Sequence, residues 1–343
     1  MPEIVVVGGG LIGLALAREL HRRRLQVSVW EAGVAGRGAS WAGAGMLAAY
    51  QTTRLELRPL AIAGAKLYPS WVAELERETG ARVGYRPSGS LILGAAAPAI
   101  VPAGWERLSL EQCAAAEPQL QLDPQFWGLE PIWRVAGDHS VDNRALTAAL
   151  LASLRARGVP VHEETRVEAV RRHGQGLELV AGGRIHSAAV VVNAGGAWSA
   201  KFAAPAPAPV RPRKGQMLAL ASPVEIHHVI EAPGVYLVPR AGNKVLVGAT
   251  LEDNGFDLEL SAPQLELLLR RAQALVPGLA GAEVIERWAG LRPCSPDELP
   301  MIGETTCPGY WLATAHFRDG ILLAPITAKI VADGIVRGRL TRA

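Results

Sequence analysis

Apolar and polar positions near the N-terminus of this chain follow first a strand-like and then a helix-like pattern. Four β-forming residues, Ile4–Val7, lead to glycines at 8–10, and an apolar-periodic segment begins at Leu11. A second β-rich run, Val27–Trp30, ends on Glu31. Short apolar runs bounded by turn residues indicate buried strands, and apolar residues three and four positions apart indicate a helix. The predicted order is therefore strand, turn, helix, strand.

The two patterns continue to alternate further along the chain. Helical spacing predicts helices at residues 55–80, 109–116, 142–158, 262–274 and 326–336. β-rich runs predict strands at 159–162, 167–170, 177–180, 184–186, 188–193 and 310–313, and hairpins that pair 82–85 with 90–93 and 235–240 with 244–250. The run at 188–193 is almost wholly apolar, which is typical of a strand buried on both faces of a parallel sheet. We therefore expect one parallel sheet and a second, antiparallel one.

The turn after the first strand has the glycine spacing of a dinucleotide-binding site. Gly8 allows a tight turn, Gly10 lets the backbone approach phosphate oxygens, and Gly13 lets the helix pack closely on the strand. A helix N-terminus favours a pyrophosphate because its N–H groups are unpaired and the helix dipole is positive there. Glu31 follows at a spacing that suits a carboxylate bound to ribose hydroxyls and disfavours the 2′-phosphate of NADP. These residues predict an adenine dinucleotide and leave FAD and NAD open.

Two further segments are rich in small residues. The segment from Gly36 to Met46 allows a flat or large ligand to lie against its backbone. A flexible linker is the alternative, but linkers tend to be polar, whereas this segment contains Trp41. Gly195 and Gly196 end the apolar run at 188–193 in a similar way. We assign that run to the first sheet, so the dinucleotide domain is expected to be discontinuous in sequence.

Length, composition and charge narrow the class of protein. A chain of 343 residues is long enough for two domains, and 49% hydrophobic with 20% charged residues is ordinary for a soluble enzyme. No apolar run reaches the length of a membrane span, and no leader pattern precedes the first strand, so a cytoplasmic protein is expected. The three cysteines have no metal-like spacing, and a net charge of +3 is too small to indicate nucleic-acid binding. A homo-oligomer is compatible with the sequence, which does not decide the oligomeric state.

Six motifs, in order, resemble the FAD-dependent D-amino-acid oxidase superfamily, and within it the glycine oxidases of thiamin biosynthesis. The motifs are Gly8–Gly13 with Glu31, Ala39–Leu47, Asn193–Ser199, Tyr236–Arg240, Trp288–Pro293 and His316–Leu322. The resemblance covers nearly the whole chain. It implies an α/β fold with a Rossmann-like, glutathione-reductase-type FAD-binding domain and an α+β substrate domain with a large antiparallel sheet. We predict the FAD-binding domain at residues 1–80, 141–209 and 288–343, and the substrate domain at 81–140 and 210–287.

The resemblance also implies roles for single residues. The residues matching Arg292 and Tyr236 hold the substrate carboxylate in that family, and Arg318 matches a second active-site arginine. A planar guanidinium binds a carboxylate bidentately, and Arg292 lies between apolar Leu291 and Pro293, which favours a ligand over a surface ion pair. Cofactor contacts are implied at Gly8, Gly10, Leu11, Ile12, Gly13, Glu31, Ala32, Ala39, Ser40, Ala44, Gly45, Met46, Val167, Ala194, Gly195, Trp198, Arg292, His316, Arg318, Asp319, Gly320, Ile321 and Leu322.

Three features test the resemblance. Asp319 stands where the family has an asparagine, and the connection from Ala48 to Glu56 is shorter than in related enzymes. His316 is interpreted as a loop residue near the flavin rather than as a catalytic base. In the related sarcosine oxidases a cysteine carries the flavin, and aligning on Ser295-Pro296-Asp297 places Gly290 at that position, so non-covalent FAD is expected. No metal site is expected.

The implied reaction is oxidative deamination of glycine, sarcosine, D-alanine, D-proline and similar small amines. The Cα hydrogen leaves as hydride to the flavin, the imine hydrolyses to a 2-oxo acid with ammonia or an amine, and O₂ becomes H₂O₂. Three alternatives stay open: a dehydrogenase of the same fold that passes electrons to a quinone or a partner protein, an NAD-dependent dehydrogenase, and a catalytically silent flavin-binding scaffold.

Overall fold

A computed structural model describes residues 4–51, 54–94, 101, 104–122 and 131–340 of the protein. The described α-helices are α1 (Leu11–Arg22), α2 (Ala39–Ala42), α3 (Arg58–Thr79), α4 (Leu110–Ala116), α5 (Asn143–Ala156), α6 (Ala262–Leu275) and α7 (Gly320–Leu340). The described strands are β1 (Ile4–Val7), β2 (Val27–Trp30), β3 (Met46–Leu47), β4 (Ser90–Leu93), β5 (Trp105–Leu108), β6 (Ile132–Val135), β7 (His139–Ser140), β8 (Val161–His162), β9 (Val167–His173), β10 (Gly176–Ala181), β11 (Arg184–Ala188), β12 (Val190–Asn193), β13 (Arg211–Ala221), β14 (Val229–Ala232), β15 (Val235–Arg240), β16 (Lys244–Gly248), β17 (Glu283–Cys294), β18 (Met301–Glu304) and β19 (Tyr310–Thr314).

The first strand lies inside a mostly parallel six-stranded sheet with the order β18-β19-β12-β1-β2-β8. Alternate residues of β1 enter two different cores. Ile4 and Val6 pack with apolar residues of α1, α3, α5 and α7, whereas Val5 and Val7 pack with the three-stranded β9–β11 meander. Because both faces are covered, β1 is apolar at every position. The predicted buried parallel strand at 188–193 is confirmed as β12, which pairs with β1 and β19.

The second large sheet has eight strands in the order β17-β13-β16-β15-β14-β4-β6-β5. Its strand pairs are antiparallel except for β14 and β4, so the sheet is mixed rather than purely antiparallel. The hairpin predicted at 235–240 and 244–250 is confirmed as β15 and β16. β17 extends from residue 283 to 294, across the predicted domain boundary at 287/288. The division into two domains stays a prediction.

A buried ion pair joins three of the helices. Arg18 on α1 is 1% exposed, and its Nη2 lies 2.7 Å from Glu78 Oε1 on α3. Ser153 on α5 donates to Glu78 Oε2 at 2.9 Å, and Arg157 lies 3.1 Å from Oε1. Burial opposes the charge of Glu78, but Arg18, Ser153 and Arg157 together lower the pKa of this carboxyl to about 2. The pair therefore fixes α1, whose N-terminus begins at the glycine turn, against its neighbours.

The last helix begins at Gly320, six residues before the predicted start at residue 326. Pro325 lies inside it and cannot donate to the carbonyl of Ile321, which would normally end or kink a helix. The hydroxyl of buried Tyr68 donates to this carbonyl instead. A contact from α3 therefore satisfies the carbonyl and lets α7 begin earlier than the proline suggests.

The hairpin predicted to pair 82–85 with 90–93 is wrong. β4 forms at Ser90–Leu93 but pairs with β14 and β6, and residues 82–85 form no strand. The amide of Asp142 donates to the carbonyl of Val83, and Arg86 exchanges backbone hydrogen bonds with Ser140. The 82–86 segment is therefore held beside the start of α5 rather than on β4. The helices predicted at 55–80, 109–116, 142–158 and 262–274 are confirmed within a few residues.

Candidate active site

One large cavity lies between the carboxyl ends of the parallel strands and a face of the eight-stranded sheet. Its volume is about 1260 Å³, and its lining includes Gly8, Glu31 and Ala194 from the strand ends and Tyr236 and Arg292 from the large sheet. Most small-molecule pockets have roughly 300–1,000 Å³. Ligands of open α/β sheets bind outside the carboxyl ends of the strands. The cavity therefore has the position and the room for a dinucleotide together with a small second molecule.

The glycine turn at the end of β1 is shaped by close backbone contacts. Gly8 has a φ of +112°, and a Cβ on it would lie 2.4 Å from the carbonyl oxygen of Ala194 after β12. A Cβ on Gly13 would lie 2.0 Å from the oxygen of Gly8, so α1 packs directly on the turn. No larger residue fits either position without backbone movement. The turn therefore presents the N-terminus of α1 to the cavity.

Two polar side chains organise this end of the cavity. Glu31 at the end of β2 accepts hydrogen bonds from the amides of Gly9 at 2.7 Å and Gly33 at 2.9 Å. The Oγ of Ser40 accepts from the amide of Leu11 at 2.8 Å, which ties α2 to the start of α1. These bonds hold the acidic group and the glycine-rich segment beside the turn.

The start of α7 lines the opposite part of the cavity. His316 is buried, its Nε2 lies 3.0 Å from Thr327 Oγ1, and burial lowers the pKa of its imidazole to about 3. A ring that binds a proton this weakly and is bonded to α7 is a poor general base, which supports its interpretation as a loop residue. Burial raises the pKa of Asp319 to about 6, although Arg318 opposes the rise. The backbone carbonyl of Asp319 also accepts a hydrogen bond from the amide of Leu323, at the start of α7.

Arg292 crosses the neighbouring strand at a glycine. A Cβ on Gly215 of β13 would lie 2.2 Å from Arg292 Nη1, so the guanidinium occupies the space that a side chain would take. Nη1 donates to the carbonyls of Lys214 and Thr250 at 3.3 and 3.2 Å. Burial lowers the pKa of Arg292, and the charge of Arg318 adds to this. The chain thus places a desolvated guanidinium in the cavity wall, where an anion would offset its desolvation.

Tyr236 of β15 occupies an equivalent gap at Gly248 of β16. A Cβ on Gly248 of β16 would lie 2.5 Å from the Tyr236 hydroxyl oxygen, and this hydroxyl lies 3.6 Å from Met217 Sδ. Burial raises the pKa of Tyr236, whereas Arg292 lowers it. The phenol is therefore neutral near pH 7 and able to donate a hydrogen bond. Tyr236 and Arg292 therefore place a phenol and a guanidinium on the same wall of the cavity.

The residues predicted from the sequence gather around this single cavity. All of the predicted cofactor and substrate residues line it except Gly13 and Leu322. Gly13 packs behind the turn, and Leu322 is 1% exposed and belongs to the helical core. Both are adjacent in sequence to lining residues, so the motifs that implied them include positions that support the wall from behind.

The sequence reasoning missed two acids near the part of the cavity beside Tyr236, which we call the substrate end. Glu231 on β14 lines the cavity, and burial raises its pKa to about 7, with Gln51 and Arg318 opposing the rise. Asp138 is 1% exposed and accepts hydrogen bonds from the Tyr50 amide, Gln51 Nε2 and Ser90 Oγ. Burial raises its pKa to about 6. The sequence did contain a signal for Glu231, because an acidic residue within a short apolar strand such as Val229–Ala232 is unusual.

Comparison with known proteins defines the class. The protein-family model described as FAD dependent oxidoreductase (DAO) matches residues 3–334. The chain belongs to this family, and its cofactor is FAD. Within the described residues no helix is long and apolar enough to cross a membrane.

Individual relatives give a more specific comparison than the family model. The chain is 34% identical to glycine oxidase of Geobacillus kaustophilus, over 98% of this chain and 93% of that protein. The crystal structure of glycine oxidase from this organism superposes with a TM-score of 0.89 and 33% identity, over 98% of this chain and 94% of the other. The chain is also 37% identical to the bifunctional protein ThiO/ThiG of Nostoc sp., over 97% of this chain. It spans about half the length of that bifunctional relative, 52%.

The cavity fits FAD on structural grounds. The turn at Gly8 leaves no room for a Cβ, so its backbone is open to a close ligand. The N-terminus of α1 faces the cavity, and the Glu31 carboxylate lies at the end of β2. We expect Gly8–Ile12 and Glu31 to hold the ADP half. Residues 39–46 and the start of α7 would then surround the flavin. Cys294 is buried and bonded to the Ser295 carbonyl, and none of the cysteines at 113, 294 and 307 lines the cavity, which supports non-covalent binding.

Proposed function

We propose that the protein is an oxidase that deaminates glycine and similar small amines, such as sarcosine, D-alanine and D-proline, to the 2-oxo acid, ammonia or amine, and H₂O₂. The observation that carries the proposal is the desolvated guanidinium of Arg292 beside the neutral phenol of Tyr236 in the cavity wall. The similarity to glycine oxidases supports it.

The residues of this chain would bind and orient the substrate. Arg292 would hold the carboxylate as a planar fork, and Tyr236 would donate to one of its oxygens. Arg318, which is exposed to the cavity, adds a second positive charge. Burial lowers the pKa of the His316 imidazole to about 3, so this ring would hold a proton too weakly to serve as a general base, and we infer that the amine binds in its neutral form. Positioning then accounts for most of the rate.

FAD, when bound, would accept the Cα hydrogen with its electron pair and pass two electrons to O₂. The walls of the cavity would separate the resulting imine from bulk water until it is released. The two steps balance, because the amine loses two electrons and two protons and O₂ becomes H₂O₂.

A peroxide-coupled assay of the purified yellow protein tests the proposal. Glycine, sarcosine, D-alanine and D-proline are expected to consume O₂ and to yield one H₂O₂ for each amine oxidised. The panel is repeated without oxygen, following the flavin absorbance. If the flavin bleaches without oxygen but the aerobic assay shows no O₂ consumption, the enzyme is a dehydrogenase that uses a quinone or a protein acceptor, not an oxidase. An unchanged flavin spectrum with every amine would indicate a flavin-binding scaffold without amine oxidation.

A further inference from the structure

Glu231 is a carboxylate in the substrate end of the cavity that the proposed reaction does not use. It lies on β14 in register with Tyr236 of β15, and residues directly opposite on paired strands have their side chains on the same face. Glu231 therefore lies beside the residue assigned to the substrate carboxylate. Its Oε1 is buried and has no hydrogen-bond partner among the described residues. An orphaned acceptor of this kind is costly unless a ligand supplies a donor.

The groups around Glu231 do not neutralise it. A side-chain hydrogen bond from Gln51 and the charge of Arg318 stabilise its anionic form, and the charge of Asp138 destabilises that form, but none of these groups satisfies Oε1. The Nε2 of Gln51 is already bonded to Asp138 at 2.7 Å and to Ser90 at 3.0 Å. No ion pair within 4 Å joins Arg318 to Glu231 in the described part of the chain, and Arg318 is the nearby cation assigned to the substrate end. Glu231 therefore has a nearby cation but, among the residues that the structure describes, no directly bonded one.

The strand order shows which part of a substrate would reach Glu231. In the order β17-β13-β16-β15-β14, Arg292 lies on β17, Tyr236 on β15 and Glu231 on β14. Glu231 is thus one strand further from Arg292 than Tyr236 is, a step of about 5 Å. A carboxylate held by Arg292 and Tyr236 keeps the amine on Cα close to itself. Of the groups on Cα, the substituent is the one long enough to extend past Tyr236, and we expect it to reach Glu231.

We propose that Glu231 is a specificity-determining residue that binds a positively charged substituent on the Cα of the substrate and disfavours a second carboxylate there. The inference rests on the proposed amine oxidation and deepens it by naming a substrate class: D-amino acids with a cationic side chain, in addition to the small amines. A carboxylate bonded to an ammonium gains both charge attraction and the missing donor.

Three D-amino acids with related side chains test the proposal with the FAD-loaded enzyme. D-Ornithine and D-norvaline share a three-carbon side chain with and without a terminal ammonium, and the carboxylate oxygens of D-glutamate lie as far along the chain as the ornithine nitrogen. The native enzyme is expected to show a higher kcat/KM for D-ornithine than for D-norvaline, and the lowest for D-glutamate. Glu231→Gln should lower the ratio of ornithine to norvaline by about ten- to a hundredfold and raise the ratio of glutamate to norvaline. Glu231→Asp should keep the native order.

Two results would overturn the proposal. If the ornithine-to-norvaline ratio is the same in Glu231→Gln as in the native enzyme, Glu231 does not contact the substituent. If all three values fall together, Glu231 acts on the common amine or carboxylate instead. Glu283→Gln removes the same charge from an exposed position at the far end of β17, and it is expected to keep the native ratios.

A binding series separates this inference from the proposed function. 4-Aminobutyrate, butyrate and glutarate differ only in the group at the end of a common chain, and the mechanism cannot oxidise them at an α-amine. Their Kd values follow from the change in the flavin absorbance. A preference for 4-aminobutyrate that Glu231→Gln abolishes supports the inference even if no amine is oxidised. Equal effects of the substitution on all three ligands contradict it. Oxidation of glycine tests the proposed function alone.

Discussion

Replacing Glu78 with glutamine should destabilise the protein through the helix that carries the dinucleotide turn. The pKa of Glu78 falls from 4.5 to about 2 in the folded protein. At 1.36 kcal/mol for each pKa unit, this difference corresponds to about 3 kcal/mol of stabilisation at pH 7. Glu78 is only 14% exposed, so solvent screening reduces the figure little. The substitution also leaves Arg18, which is 1% exposed, without its closest partner, and such a loss typically costs about 3–5 kcal/mol.

Urea unfolding of the FAD-loaded protein, followed by circular dichroism and cofactor release, measures the effect. Glu78→Gln is expected to lower the free energy of unfolding by about 3 kcal/mol at pH 7. Because the folded-state pKa is depressed, the stabilisation is complete above pH 4.5 and is lost as the pH falls toward 2. The difference between native protein and variant should therefore close in acid. Glu106→Gln, which removes a partner from an ion pair with 44% and 50% exposed side chains, should cost less than about 1 kcal/mol. A loss for Glu78→Gln no larger than this control, or one independent of pH, would refute the reasoning.

Arg292→Ala is expected to lower kcat/KM for glycine by about 30- to 5,000-fold, equivalent to about 2–5 kcal/mol. Arg292→Lys should have a kcat/KM between those of the native enzyme and Arg292→Ala. Native values of kcat/KM in the alanine variant would contradict the assignment of Arg292 to the substrate carboxylate. Gly8→Ala places a Cβ 2.4 Å from the Ala194 oxygen, so FAD fluorescence titration should show weaker binding, and native affinity would contradict the close approach. Acid precipitation should release all the yellow colour into solution, and a coloured pellet would indicate covalent flavin. Since burial raises the pKa of Glu231 to about 7, the preference for D-ornithine over D-norvaline should rise between pH 6 and 8, and a flat ratio would argue against Glu231 as its source.

Local patterns were sufficient wherever backbone chemistry sets the structure. Gly8 and Gly13 could be assigned from spacing alone because a side chain at either position would meet backbone atoms within 2.4 Å. The apolar run at 188–193 could also be assigned locally, since a strand covered on both faces is apolar at nearly every position. These features depend on a few neighbouring residues, and one sequence displays them.

Features that depend on distant pairing could not be predicted in the same way. β4 was expected to pair with residues 82–85 nearby, but it pairs with β14, about 140 residues further along the chain. Glu231 was overlooked for a related reason, because its significance comes from Tyr236 opposite it and from Gln51, Asp138 and Arg318 brought in by other elements. Nothing in the residues adjacent to Glu231 indicates these neighbours.

The strand order of the six-stranded sheet has a consequence for how the protein acquires its cofactor in the cell. β1 is synthesised first, yet its neighbour β12 follows almost two hundred residues later, and β12 in turn pairs with β19. At roughly 5–20 residues per second, translation would separate β1 from β12 by about 10 to 40 s. During that interval the nascent glycine turn lacks the Ala194 carbonyl against which it packs. FAD capture is therefore expected to be a late event, and a ribosome-bound chain that ends before residue 190 should bind none.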